Sequence, residues 1–188
     1  MVDNTKVEQA ISLLLEGIGE DTSREGLLET PKRVTKAWGQ WASGYGRDPK
    51  EVMKKFTNPG VDQLVIVSNL DFYSMCEHHM APFYGQVHIA YVPGKYVLGV
   101  SKFSRLTDIF SRRLQIQERL TQEIAQTIME ELQPLGVGVV IEGVHLCMRS
   151  RGVEKQNAKM VTSVMLGDLR EKTGLRQEFL ASIKLAKE

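Results

Sequence analysis

The chain is poor in the residues that build metal and redox sites: 188 residues hold two cysteines and four histidines. Two cysteines cannot make the dense disulfide framework of a small secreted domain. The first residues, Met1-Val2-Asp3-Asn4, run into a mixed polar stretch with no apolar core of a secretory leader. No apolar run is long enough to span a bilayer. These absences point to a protein of the cytoplasm, with its thiols reduced. A formal net charge of +1 lacks the basic excess of a nucleic-acid-binding protein. Internal repeats and low-complexity segments are also missing. Apolar residues make up 42% of the chain, which is ordinary for a globular protein with one sizeable core.

The scarce residues are not scattered. Cys76-Glu77-His78-His79 and His145-Leu146-Cys147 take both cysteines and every histidine except His88. Cys76 and His79 have metal-ligand spacing, and Cys147 supplies a third soft donor. Three protein ligands with no evident fourth is the pattern of a catalytic zinc, which keeps one position open for water. The competing readings are a disulfide and two inert buried thiols. His78 and His145 then remain as imidazoles beside the metal, titrating near neutral pH. A Lewis acid, an activated water and two imidazoles suit hydrolysis of a C–N bond.

The hydrophobic pattern predicts α+β architecture. Helical periodicity covers 3–16, with Val7, Ile11, Leu14 and Leu15 on one stripe. A second helix is expected from Thr30-Pro31, with Thr30 as cap, and a short third after Asp48-Pro49. Asn58-Pro59-Gly60 then divides an N-terminal helical segment, 1–60, from a catalytic domain, 61–188. Strands are expected at 64–70, 85–92 and 96–100. Helices follow at 101–113 and 117–132, the second with Leu120, Ile124, Ile128 and Leu132 in a core-facing stripe. A long strand at 137–149, a hairpin partner at 160–166 and a helix at 175–187 complete the chain. His145, Cys147 and Arg149 would share one face of the long strand, and His88 would lie on a surface or interface.

Basic residues gather near the same chemistry. Ser101 is the expected cap of a helix carrying Lys102 and Arg105 in its first turn, where free N–H groups favour phosphate. Arg149 or Arg151 could join them. Glu118, beside Gln117, is a carboxylate able to accept hydrogen bonds from the N1–H and amino group of a guanine.

The strings Cys76-Glu77-His78-His79, Ser101-Lys102-Phe103-Ser104-Arg105, Gln115-Ile116-Gln117-Glu118-Arg119-Leu120-Thr121 and His145-Leu146-Cys147-Met148-Arg149-Ser150-Arg151-Gly152 resemble the GTP cyclohydrolase I family in order and separation, from about Glu29 to Phe179. The resemblance implies the tunnelling fold, an antiparallel four-stranded sheet with two helices between the second and third strands. It implies Zn2+ on Cys76, His79 and Cys147, and acid/base roles for His78 and His145. Gln117 and Glu118 would recognise guanine, while Ser101, Lys102, Arg105 and Arg151 would hold the triphosphate. Arg33 and Lys36 match positions that reach a phosphate from a neighbouring subunit. The implied assembly is a homodecamer of two pentameric rings with active sites at subunit interfaces. The implied reaction opens the imidazole ring of GTP, releases formate and yields 7,8-dihydroneopterin triphosphate. Leu114 departs from the pattern, replacing a proline common in the family, and so does the stretch 154–161.

Overall fold

The structure, a computed structural model, describes residues 2–186; Lys187, the expected end of the last helix, lies outside them. Helix α1 spans Asn4–Gly17, opened by Asp3, whose carboxylate accepts the Lys6 N–H at 3.1 Å. Helix α2 spans Thr30–Trp41. Thr30 is its first residue rather than its cap, and its hydroxyl donates back to Gly26 O at 3.2 Å. A 3-10 turn at Pro49–Val52 is capped by Asp48. Strand β1, Lys55–Thr57, crosses back to pair antiparallel with a short strand at Tyr96–Leu98, labelled β4 below.

Strand β2 is Val65–Cys76 and β3 is Pro82–Val92; together they form a long antiparallel hairpin. After β4 come helix α3, Val100–Ser111, the two-residue strand β5, Leu114–Gln115, and helix α4, Gln117–Leu132. Strand β6, Gly136–His145, then pairs with β3, and β7, Met160–Gly167, pairs with β6. Between them the single turn α5 spans Leu146–Arg149; after β7, α6 covers Asp168–Glu171 and α7 covers Thr173–Leu185. The main sheet has the order β5-β2-β3-β6-β7, with only β5 parallel to its neighbour. Four long antiparallel strands with two helices between the second and third define the tunnelling fold, as the family resemblance implied, within the α+β class that the hydrophobic pattern predicts.

Strand alternation divides the core between the two faces of the sheet. Val87, Ile89 and Tyr91 of β3 join Val137, Val139 and Ile141 of β6 under the helices. Phe103, Leu106 and Ile109 of α3 and Leu120, Ile124, Ile128 and Leu132 of α4 cover this face with almost no exposure. Each such side chain contributes about 1.5–3 kcal/mol by leaving water. On the other face Ala90, Val92 and Val140 meet Leu169, Phe179 and Ile183 of the C-terminal helices. His88 points to this second face, as alternation requires, but α7 covers that face and His88 is fully buried rather than at a surface. Its Nδ1 accepts the Asn69 N–H at 3.2 Å, at the β2 bulge where Asn69 takes φ 57°. No helix among the described residues is long and apolar enough to cross a membrane.

Candidate metal centre and active site

The edge of the hairpin holds the first metal cluster. Cys76 ends β2, and its N–H and C=O are both used at once: the N–H donates to Ala81 O and the C=O accepts from Met80 N–H, each at 2.8 Å. These bonds close Glu77–Met80 into a tight turn in which Met80 takes φ 51°. Glu77 N–H donates to Gln115 O at 3.1 Å, joining the turn to β5. Cys76 is buried, whereas His78 and His79 are exposed, their rings 6.4 Å apart and nearly perpendicular.

The second cluster arrives differently from the sequence expectation. Strand β6 stops at His145, and Leu146–Arg149 is a helical turn, closed by Ser150 N–H and Oγ both donating to Leu146 O at 2.8 Å. Strand alternation therefore does not put Cys147 and Arg149 on the face of His145. The turn nevertheless brings the Cys147 sulfur to Cys76 and His79: the three ligand atoms lie within 4.8 Å of one another. Both cysteines are free thiols. Burial raises the Cys147 thiol above its ordinary range, and the neighbouring Cys76 sulfur adds to the rise. Two sulfurs and one imidazole so close together, with no carboxylate in the group, fit a soft-ligand divalent cation. Cys76, His79 and Cys147 can hold a metal ion.

His145 is held from two sides. It sits opposite Phe83 in the β3–β6 register, and its ring stacks on the Phe83 ring with centroids 4.5 Å apart and planes 9° apart. Its Nε2 lies 3.0 Å from Gln117 Oε1. Burial lowers the His145 pKa below the ordinary histidine value, and the charge of Glu118 opposes that drop. Sequence reading found His145 but missed Phe83, because only the strand register brings the two rings together.

Gln117 and Glu118 open α4 side by side yet face different surroundings. Glu118 is exposed, near enough to His145 for its charge to be felt. Gln117 is fully buried, and its carboxamide is bonded to protein on every side. Ser101, Lys102 and Arg105 lie on the first turns of α3, whose cap is Gly99 rather than Ser101. Ser101 and Arg105 are exposed and Lys102 half-buried. Arg151 is exposed in the loop after α5, and its charge acts on Cys147. Arg149 instead holds that loop, donating to Ala158 O at 3.2 Å. Arg33 and Lys36 are exposed on α2; the Arg33 guanidinium donates to Gly26 O and Thr30 Oγ1, within its own segment.

Fold and site together define a tunnelling-fold protein with a Cys-His-Cys group able to hold a metal ion and a separately held histidine at the end of the strand that leads to its second cysteine. A sequence model of the family described as GTP cyclohydrolase I matches residues 7–184. The chain belongs to the GTP cyclohydrolase I family of enzymes. It is 49% identical over 179 residues to GTP cyclohydrolase 1 of Wolinella succinogenes, covering 95% of this chain and 96% of that one. It is 51% identical over 176 residues to the protein of that name from Chlorobaculum tepidum, covering 93% and 78%. Among solved structures, archaeosine synthase QueF-Like in the apo form aligns with a TM-score of 0.46 at 16% identity, over 55% of this chain and 93% of that one.

Proposed function

We propose that the protein is a zinc-dependent GTP cyclohydrolase I that converts GTP and water into formate and 7,8-dihydroneopterin triphosphate, at the entry to folate or other pterins. The observation that carries this reading is the convergence of Cys76, His79 and Cys147, with His145 held on Gln117 two residues before Cys147, in a chain of this family. A zinc ion on those three residues supplies a Lewis acid and lowers the pKa of water to about 7.

The chain's own residues divide the remaining work. Glu118 accepts hydrogen bonds from the N1–H and 2-amino group of guanine, with Gln117 directly behind it. Lys102, Arg105 and Arg151 neutralise the triphosphate, and Ser101 adds a hydroxyl on the first turn of α3, where the helix end already favours anions. Water adds to C8 as His145, through its free ring nitrogen, takes the proton that this water loses and passes it to N7. The C8–N9 bond then breaks as the C8 hydroxyl becomes a carbonyl and its proton goes to N9. A second water releases C8 as formate while His78 moves the proton. The ribose then opens, rearranges and closes onto the freed amine with loss of one water, so two waters enter and one leaves.

Several features support an assembly in which each site is completed by a neighbour. His78, His79, Glu118, Arg105 and Arg151 are all exposed in the single chain, although nucleotide sites normally enclose most of the ligand. Strand β7 leaves an open sheet edge, with Val161 62% exposed, and open edges invite pairing. Helix α1 leaves Leu13 and Leu14 in solvent. The proposed assembly is the decamer of two pentameric rings, in which Arg33 and Lys36 reach a phosphate held by the adjacent subunit. Free thiols suit a cytoplasmic setting. Incubating zinc-loaded protein with GTP should yield formate together with a pterin that fluoresces after oxidation. Absence of both would refute the reading.

A further inference from the structure

We propose that the Gln117 side chain is a positioning residue for His145: a hydrogen-bond relay of the Ile141 and Met160 carbonyls, Thr162 and Thr121 fixes the carboxamide so that His145 keeps its proton on Nε2 and offers Nδ1 for chemistry. The inference deepens the proposed GTP hydrolysis and rests on it for its kinetic consequence.

The direction of every bond in this relay follows from proton count. Gln117 Nε2 lies 3.1 Å from Ile141 O, Met160 O and Thr162 Oγ1. Two of these are main-chain carbonyls, which can only accept, so the atom facing them is the nitrogen. Thr121 Oγ1 is 2.7 Å from Gln117 O, also a carbonyl, and must donate its one hydroxyl proton there. The 2.7 Å contact between Thr121 and Thr162 therefore has Thr162 as donor. With its proton spent, Thr162 has only lone pairs for Gln117, so three acceptors share the two hydrogens of Nε2, which again selects nitrogen. Gln117 Oε1 is left facing His145 Nε2 at 3.0 Å, and an oxygen that can only accept requires the hydrogen on Nε2.

The surrounding backbone is shaped for this contact. A Cβ at Gly143 would stand 2.1 Å from Gln117 Oε1 and 3.5 Å from His145 Nε2, so glycine opens the notch in which the two meet. Phe83 fixes the plane of the imidazole from its flat side. Gln117 itself is fully buried, which separates it from the exposed Glu118 one residue away. It acts through His145 and not on the purine.

The test uses the zinc-loaded protein with Gln117→Leu, which keeps bulk but removes the acceptor, and Gly143→Ala, whose added methyl would stand 2.1 Å from Gln117 Oε1 and push that oxygen off His145. For each variant, kcat should fall roughly 10- to 100-fold, the usual loss when a supporting hydrogen bond is removed. KM for GTP and discrimination against inosine triphosphate should stay at the wild-type level. Nitrogen-15 spectra of histidine-labelled wild-type protein should show His145 as the Nε2–H tautomer, and Gly143→Ala should convert that signal to a tautomer mixture. A wild-type His145 protonated on Nδ1 alone would overturn the proposal. So would unchanged kcat, or a raised KM with lost discrimination at unchanged kcat, which would mean that the carboxamide touches the base. If wild-type protein makes no formate, the functional reading fails, and the tautomer spectrum still decides the relay.

Discussion

Arg119 of α4 donates from Nη2 to the Glu77 carboxylate, tying the turn that carries His78 and His79 to the helix that carries Glu118. The same guanidinium donates through Nε to Gln115 Oε1 at 2.7 Å and through Nη2 to Leu114 O at 3.2 Å. One side chain thus sets the metal turn against the start of α4. The two members of the ion pair, Arg119 and Glu77, are 42% and 34% exposed, so the pair itself adds little to global stability.

Arg119→Met should accordingly shift unfolding free energy by less than about 1 kcal/mol. Metal retention should weaken roughly tenfold, because the support behind the ligands is lost. Chemical denaturation and competition against a chromophoric chelator would measure the two effects on the same preparation.

Removing either free imidazole should separate chemistry from metal binding. His78→Ala and His145→Ala should keep their metal and lose turnover on the order of 100-fold or more, the scale of general acid–base catalysis. Metal content by elemental analysis and formate release check both halves. Full turnover in either variant would remove that histidine from the mechanism.

Leu114 carries a bond that a proline at this position could not make. Its N–H donates to Tyr45 Oη at 3.0 Å, joining β5 to the segment after α2. Tyr45→Phe should cost about 1 kcal/mol. Leu114→Pro loses the same bond but stiffens the unfolded chain, so its net cost should be smaller. Denaturant titration of the two variants orders them.

The α4 stripe is fully buried in the core. Ile128→Ala should destabilise by about 2–5 kcal/mol, through lost transfer energy and the cavity left behind. Unfolding curves measure the loss directly.

The parts that were readable from sequence are those governed by local periodicity and by scarce residue types. Leu120, Ile124, Ile128 and Leu132 announced α4, and the crowding of Cys and His announced the metal group. What escaped depended on where the chain leaves its period or on what lies across the sheet. Leu146, Met148 and Arg149 are good helix formers, a weak sign that β6 ends at His145, but apolar alternation outweighed it. His88 alternated correctly, yet its burial depends on α7, far along the chain. Gln117 stands in a string whose family resemblance implies guanine recognition, and its carboxamide turns inward to β6 and β7, a direction that residue order does not encode.

Zinc K-edge absorption on the purified, substrate-free protein tests the centre most directly. Two sulfurs at about 2.3 Å and nitrogen or oxygen donors at about 2.0–2.1 Å, with one light donor exchangeable, are expected from Cys76, His79, Cys147 and water. A sphere filled by four protein side chains, or one with a single sulfur, would contradict the account.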